Sequence, residues 1–566
     1  MTIDAAHPRI RRHFATCGNR QVHYRRGGKG PVVVLLHQSP TSSRESIPLM
    51  ERIMDDFSIV APDTPGNGLS DPLGITQPEA ADYAEGLAEM LDELGVERCG
   101  LFGTHTGGCT ATEFARLYPE RVSVLIVDGV TCWTDEERGD ILENYLPRFE
   151  PAWDGSHLTW LWARLRQQMM FFPWYNTSLA ARMDLAMPTP DQMFPGFLDY
   201  LRAGDNYRDA YASAFRYRGN ESLAKVTVPT YLLANEQDML FGHFDRLQDL
   251  PPNVVIERFG REKSSLHERT HELLRAHLGQ SEAPTPQSPR PIGGRPWQDF
   301  ADVDGGQLHV RRHDGAGGRP VVVQHDAASD NNVVRDVVDG FVGKRPVIAF
   351  DLPGNGESDN TISGNAGSKI TCETYADVTR QALASMGIQE IDYIGTWGSG
   401  FTGIELCKIQ KGLVAQLIIV NVIYHSRDLR IELKEKYTPT LERDKHGAFL
   451  LFCWNAMRDQ SLFWPWYNAT SSGVLSNQEL ISTEMIHRRT VSLLKCWNMW
   501  REHYGAHWDY ELDQNLSGLS IPIFLAAPEG HNQSDEVHGA FPNTKRLVVG
   551  SKMKDWPKSF LAELGD

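Results

Sequence analysis

His105 stands at the centre of Gly103-Thr104-His105-Thr106-Gly107-Gly108, a reactive side chain framed by glycines. An imidazole titrates near pH 6.5, so around neutrality it can take a proton from water or from a carbon acid, or attack a carbonyl carbon directly. The same residue could also be filler in a ligand-binding relic. A second arrangement, His267-Glu268-Arg269-Thr270-His271, spells His-Glu-x-x-His. On a helix that spacing sets two imidazoles on one face for zinc, with Glu268 as base. No third ligand follows before a proline-rich stretch, and His277 falls too far round the helix. The segment is therefore read as an ordinary closing helix, and neither a metal nor any other cofactor is expected.

The elements that must position His105 are written around it. Cys99, Leu101 and Phe102 end an apolar run, and Ala111, Phe114, Ala115 and Leu117 follow at helical spacing. A strand that turns this sharply into a helix needs glycine two residues before and two after its apex, here Gly103 and Gly107. Further strands are predicted over 21–26, 31–36, 122–127 (ending at Asp128), 228–234 and 254–259, with a helix over 273–278. From Trp133 to about Glu221 the strand pattern gives way to aromatic helix formers, among them Trp153, Trp160, Trp162, Trp174 and Tyr175. That density predicts a mostly apolar pocket roof, with Trp174 and Tyr175 stacking on a flat substrate.

The closely spaced prolines of 281–291 forbid helix and ladder pairing and mark an exposed linker. Beyond it the chain starts again. Gln307-Leu308-His309-Val310-Arg311-Arg312 echoes Gln21 to Arg26, and Val321 to His325 echoes the run into His37. Asp351-Leu352-Pro353-Gly354-Asn355-Gly356 repeats Asp63-Thr64-Pro65-Gly66-Asn67-Gly68 at an offset of 288, and Gly395 to Gly400 repeats the hexapeptide at 292. Pro465-Trp466-Tyr467-Asn468 repeats Pro173 to Asn176, also at 292.

The hexapeptide, the Asp63 loop and His37-Gln38-Ser39-Pro40 together resemble the α/β-hydrolase superfamily in two fused copies. His replaces the usual elbow serine in the first copy and Trp397 in the second. The resemblance implies two α/β domains, each a mostly parallel sheet flanked by helices with a helical cap. Their expected bounds are 1–280 (cap 134–221) and 297–566 (cap 426–517), joined by a linker over 281–296. It implies an oxyanion hole from the backbone N–H groups of Ser39 and Thr106, and a site wall at His37. Asp238 falls where many relatives carry the triad acid, and Asp128 ends a neighbouring strand. Relatives place a histidine after the last strand; here the first is His267, which would serve only if 262–266 looped back over the site. In the second copy Trp397 can neither attack nor take a proton. Ser399 lies inside the turn, His531 maps to Asp238, and no histidine follows Gly550, so this half is expected to be degenerate and to pair with the first.

A net charge of −17 and a pI near 5.6 argue against nucleic acid or an anionic membrane as partner, leaving a small molecule. Eight cysteines without a CxxC pair, no apolar stretch after Arg12 and no run of membrane-spanning length predict a cytoplasmic protein. The expected activity is hydrolytic or lyase-type cleavage of an ester or carbon–carbon bond next to a carbonyl in a small, aromatic substrate. His105 would act as base or nucleophile. The rival readings are a cofactor-independent oxygenase or isomerase, and a noncatalytic ligand-binding protein.

Overall fold

The computed structural model describes residues 7–362, 369–475, 481–497, 499–528 and 533–564. Its contacts divide into two compact units. One is Arg9–Arg290 with Arg443–Gly447; the other contains Pro291–Glu442 and Ala448–Asp566.

The first unit is built on strands β1 (Ile10–Cys17), β2 (Arg20–Gly27), β3 (Val32–Leu36), β4 (Ser58–Pro62), β5 (Cys99–Thr104), β6 (Val122–Asp128), β7 (Thr230–Asn235) and β8 (Val254–Phe259). They form a sheet in the order β1-β2-β4-β3-β5-β6-β7-β8, antiparallel as far as β4 and parallel beyond. Every residue of β3 and β4 is buried, as strands covered on both faces require. One cover is the helix pair Ala80–Glu93 and Thr106–Leu117, whose Leu87, Leu91, Ala111 and Phe114 pack with Val34, Leu101 and Leu125. The other is Ile47–Ile53 and Lys263–His277, whose Leu49, Ile53, Leu266 and Leu274 pack with Val33, Leu35 and Ile126. Parallel strands must be joined by crossovers, and the right-handed crossovers expected of βαβ units sort helices onto these two faces.

Between β6 and β7 the chain leaves the sheet for a set of helices that includes Asp135–Asn144, Ser156–Gln168, Pro190–Ala203 and Tyr207–Arg216. Their centre is Tyr145, fully buried, against which the rings of Phe172, Trp174, Tyr175, Tyr211 and Phe215 lean. The Arg164 guanidinium, also buried, lies 5.6 Å from the Tyr145 ring and 5.3 Å from that of Trp174, and donates to the Tyr145 carbonyl. Residues 281–290 have no regular structure. They are held along the sheet edge by Thr16, whose hydroxyl donates to the Arg290 carbonyl at 2.7 Å, and by Arg26, which donates to the Pro284 carbonyl.

The second unit repeats this plan with β9 (Trp297–Val303), β10 (Gly306–His313), β11 (Val321–Gln324), β12 (Val347–Phe350), β13 (Ile391–Thr396), β14 (Val414–Val420), β15 (Ile523–Pro528) and β16 (Lys545–Val549). The order from the antiparallel edge, β9-β10-β12-β11-β13-β14-β15-β16, is the same. Its inserted helices also close around a buried tyrosine. Trp466 donates from Nε1 to the Tyr437 carbonyl at 3.1 Å, as Trp174 does to that of Tyr145 at 3.1 Å. Among the described residues no helix is long and apolar enough to cross a membrane.

Candidate active site

The turn from β5 into the helix Thr106–Leu117 is as tight as its glycines require. A Cβ on Gly103 would lie 2.4 Å from the Gly107 carbonyl oxygen, and one on Gly107 would lie 2.3 Å from that of Leu36. His105 takes the strain of the apex at φ 46°, a conformation that costs a non-glycine residue about 1–3 kcal/mol and persists where the surroundings enforce it. Here the enforcement includes a hydrogen bond from His105 N to the Asp128 carbonyl at 3.0 Å, which ties the apex to the end of β6.

Asp238 meets the imidazole from the turn after β7. Its Oδ1 accepts the Leu240 N–H at 2.7 Å, and its Oδ2 accepts from His105 Nε2 at 2.7 Å. A carboxylate only accepts, so the ring proton resides on Nε2 and the lone pair on Nδ1. Nδ1 has no hydrogen bond among the described residues, and the side chain keeps 17% of its surface exposed. Burial favours the neutral ring, but the charge and hydrogen bond of Asp238, with Asp128 and Glu45 further off, outweigh it and raise the His105 pKa above 6.5. Burial works against the Asp238 carboxylate in the same way, and His105 with the Leu240 N–H overcomes it, leaving the pKa below 3.8. Asp128 is different: burial first, then the charge of Asp238, push its carboxyl up to about 6 against the lesser pull of His105 and Lys263.

Two residues that no motif marks complete the surroundings. Gly129, at φ 78°, lies flat against the imidazole: a Cβ there would sit 2.3 Å from His105 Cδ2 and 2.6 Å from Nε2. His243, buried on the short helical turn Phe241–Arg246, accepts the Cys132 N–H on Nδ1 at 2.9 Å and stands edge-on to Trp133, with centroids 4.5 Å apart. No sequence signal points to either, since one is a bare glycine and the other a lone histidine outside any spacing pattern.

The other expected residues fall as follows. His37 is buried with both ring nitrogens engaged: Nδ1 donates to the Gln38 carbonyl at 2.8 Å, and Nε2 accepts the Thr64 N–H at 2.8 Å. These bonds make it a tether for the Asp63 loop. Asp63 holds that loop by accepting from Ser43 N, Leu69 N and His23 Nδ1 at 2.7, 2.9 and 2.8 Å. Trp174 and Tyr175 spend their polar ends inside the cap, on the Tyr145 carbonyl at 3.1 Å and on Asp140 Oδ2 at 2.6 Å. His267 lies on the closing helix, where burial and then Lys263 and Arg52 lower its pKa; the hydrogen bond of Asp238 goes to His105 instead. In the same helix Glu268 pairs with Arg52 and His271 with Asp56. Ser39 and Thr106 are both buried. Thr106 opens its helix, where the first N–H groups have no partner within the helix, and the Ser39 hydroxyl has no hydrogen bond among the described residues.

In the second unit the corresponding ground is filled. Trp397 occupies the apex at φ 51°. The Gly398 N–H, equivalent to that of Thr106, donates to the Asp326 carboxylate at 3.2 Å, and buried His507 lies 3.2 Å from the same oxygen. The Ser399 hydroxyl accepts the Thr396 N–H at 2.8 Å and lies 3.0 Å from the Gln324 carbonyl, so it knits the turn together. His531 lies outside the described residues.

A family model described as the α/β hydrolase fold matches residues 31–267. The first domain belongs to the α/β-hydrolase fold family. The second shares its strand order, so the chain carries two α/β-hydrolase-fold domains. Among similar proteins, 2-(acetamidomethylene)succinate hydrolase of Mesorhizobium japonicum is 30% identical over 25% of this chain and 51% of its own length. 2-Hydroxy-6-oxo-6-phenylhexa-2,4-dienoate hydrolase of Comamonas testosteroni is 30% identical over 19% and 39%. The crystal structure of Cfl2 from Burkholderia cenocepacia aligns with a TM-score of 0.36 and 22% identity, covering 48% of this chain and 99% of that one. The chain thus spans about half or less of the length of these curated relatives. An α/β-hydrolase domain with named hydrolases among its relatives supports an enzyme.

Proposed function

We propose that the first domain cleaves an ester or carbon–carbon bond next to a carbonyl in a small substrate, using groups of its own chain. The 2.7 Å hydrogen bond between Asp238 and His105 Nε2, on the apex of the elbow, carries this reading. It leaves Nδ1 as the one basic atom on a residue the turn presents. In the proposed reaction Nδ1 takes a proton from water as the water oxygen adds to the carbonyl carbon. The Asp238 carboxylate balances the imidazolium that forms, and the N–H groups of Ser39 and Thr106 hold the oxyanion. The bond to the leaving group then breaks, and the proton on Nδ1 passes to that group. The relatives' names describe small carboxylates that carry a further carbonyl, which supports a substrate of that kind.

The test is to supply aryl esters and oxo-dienoates in H₂¹⁸O. One ¹⁸O per carboxylate product, lost at least about a hundredfold in rate in His105→Ala, supports the reading. Oxygen uptake or isomerised product replaces it with the oxygenase or isomerase alternative, and ligand binding without turnover replaces it with the binding protein.

A further inference from the structure

We propose that the helical insertion of the second domain holds a binding site for a small zwitterion with an apolar body, the class to which the aromatic α-amino acids belong. The site lies apart from the residues given to catalysis and takes a ligand of its own.

A cavity of about 200 Å³ lies among three helices of that insertion, Ala448–Asp459, Thr483–Lys495 and Trp500–Trp508. Its walls are apolar. Cys453, Leu493, Trp497 and Trp500 are each at most 9% exposed, and Leu441 joins them from the loop before the first helix. Arg501 and Glu502, both exposed, stand at its mouth.

The same corner of the first domain is built differently. The offset of 292 that carries Trp174 onto Trp466 also carries the start of the helix Ser156–Gln168 onto that of Ala448–Asp459. By it Cys453 stands for Leu161, Leu441 for Phe149, Trp497 for Asp205 and Trp500 for Arg208. In the first domain Leu161 and Phe149 are buried, and an ionic staple ties the corner. Asp205 accepts the Phe149 N–H at 2.9 Å and the Arg208 guanidinium at 3.2 Å, while Arg208 Nε donates to the Leu146 carbonyl at 3.0 Å. In the second domain indoles replace both charges of the staple, and smaller side chains replace both buried fillers.

What the cavity would take follows from its unspent groups. Trp500 has no ring contact and no hydrogen bond among the described residues, so its face is available to stack on a ligand's ring. Arg501 and Glu502 have neither an ion pair nor a hydrogen bond among the described residues. Successive residues on a helix do not face each other, so the two charges do not serve one another. A ligand with only a carboxylate would meet Arg501 but bring a like charge to Glu502, and one with only an ammonium would do the reverse. A zwitterion answers both with charge-assisted hydrogen bonds and leaves its body inside. The size agrees, since an apolar cavity of about 150 Å³ takes a benzene ring.

L-Phenylalanine serves as the probe, titrated calorimetrically into the full chain beside 3-phenylpropionate, which lacks the ammonium, and phenethylamine, which lacks the carboxylate. The proposal expects L-phenylalanine to bind and each analogue to be at least about tenfold weaker, the loss of one charge-assisted pair. Cys453→Phe and Leu441→Phe fill the cavity, the second with the first domain's own residue, and each should abolish binding if it melts like wild type. Arg501→Ala, at an exposed side chain, should weaken L-phenylalanine about as much as removal of its carboxylate does. His105→Ala should bind as wild type does. A wild type that takes no L-phenylalanine overturns the proposal, as does an analogue that binds equally well, or retention in Arg501→Ala or in a folded filled variant. Loss of binding in His105→Ala overturns it as well, by placing the ligand in the first domain.

Discussion

His105 and Trp397 hold the same left-handed backbone, φ 46° and 51°, at the apex of the same turn in two domains of one chain. The frame has been kept on both sides while the side chain it presents differs in kind. One apex faces a carboxylate that orients an imidazole; beside the other, a carboxylate occupies the N–H that would stabilise an oxyanion. In the proposed reading the chemistry of this scaffold therefore belongs to the first domain.

Replacing His105 by alanine should leave the melting temperature near wild type and reduce kcat by at least about a hundredfold. Trp397→Phe should leave kcat unchanged. Equal loss in both, in a steady-state assay, would relocate the chemistry.

The pH dependence follows from the sign of the His105 shift. Its pKa is raised in the fold, so the base is protonated at and below pH 6.5 and the rate climbs as pH passes above that value. In Asp238→Asn the largest raising charge and its hydrogen bond are gone while burial remains, so the limb moves to lower pH as kcat falls. The pair's contribution to stability has the opposite sense on its alkaline side. It is fully present below pH 6.5 and lost as pH rises through the folded pKa of His105, while the depressed pKa of Asp238 makes it fade again as pH falls below 3.8. A pH–rate profile of the two proteins with parallel thermal melts checks both statements.

Gly129→Ala should separate folding from activity. The new methyl would press on the imidazole at a position whose φ of 78° already disfavours alanine. We expect a cost of about 1–2 kcal/mol in stability and a much larger proportional loss in kcat, because the dyad must tilt to admit it. Unchanged turnover would show that the ring has room to move.

Ser399→Ala should destabilise without touching turnover. Its hydroxyl is fully buried and bonded within the second elbow, so removal leaves the Thr396 N–H unpaired at about 1–3 kcal/mol. Chemical denaturation and the activity assay together decide it.

Much of this was legible in the sequence because it is local. Gly103 and Gly107 mark the turn through a close approach that only glycine allows, and the Asp63 loop with its copy at Asp351 declares the duplication. Asp238 could be placed only by resemblance, and its partner only by the fold. The bond from the Thr64 N–H to His37 could not be read, because its partner lies 27 residues on and main-chain donors leave no trace in residue type. Nor could the ring packing around Tyr145 be read, since an aromatic cluster reads alike whether its rings face a ligand or one another.

The carboxylate of Asp326 on the Gly398 N–H has a consequence for stoichiometry. A mimic of a tetrahedral intermediate needs that donor vacant, and only one of the two elbows offers it. Such a compound should saturate at one equivalent per chain despite the duplicated fold. Titration with it would therefore count competent sites directly, with the second domain serving as a blank of matched architecture inside every molecule.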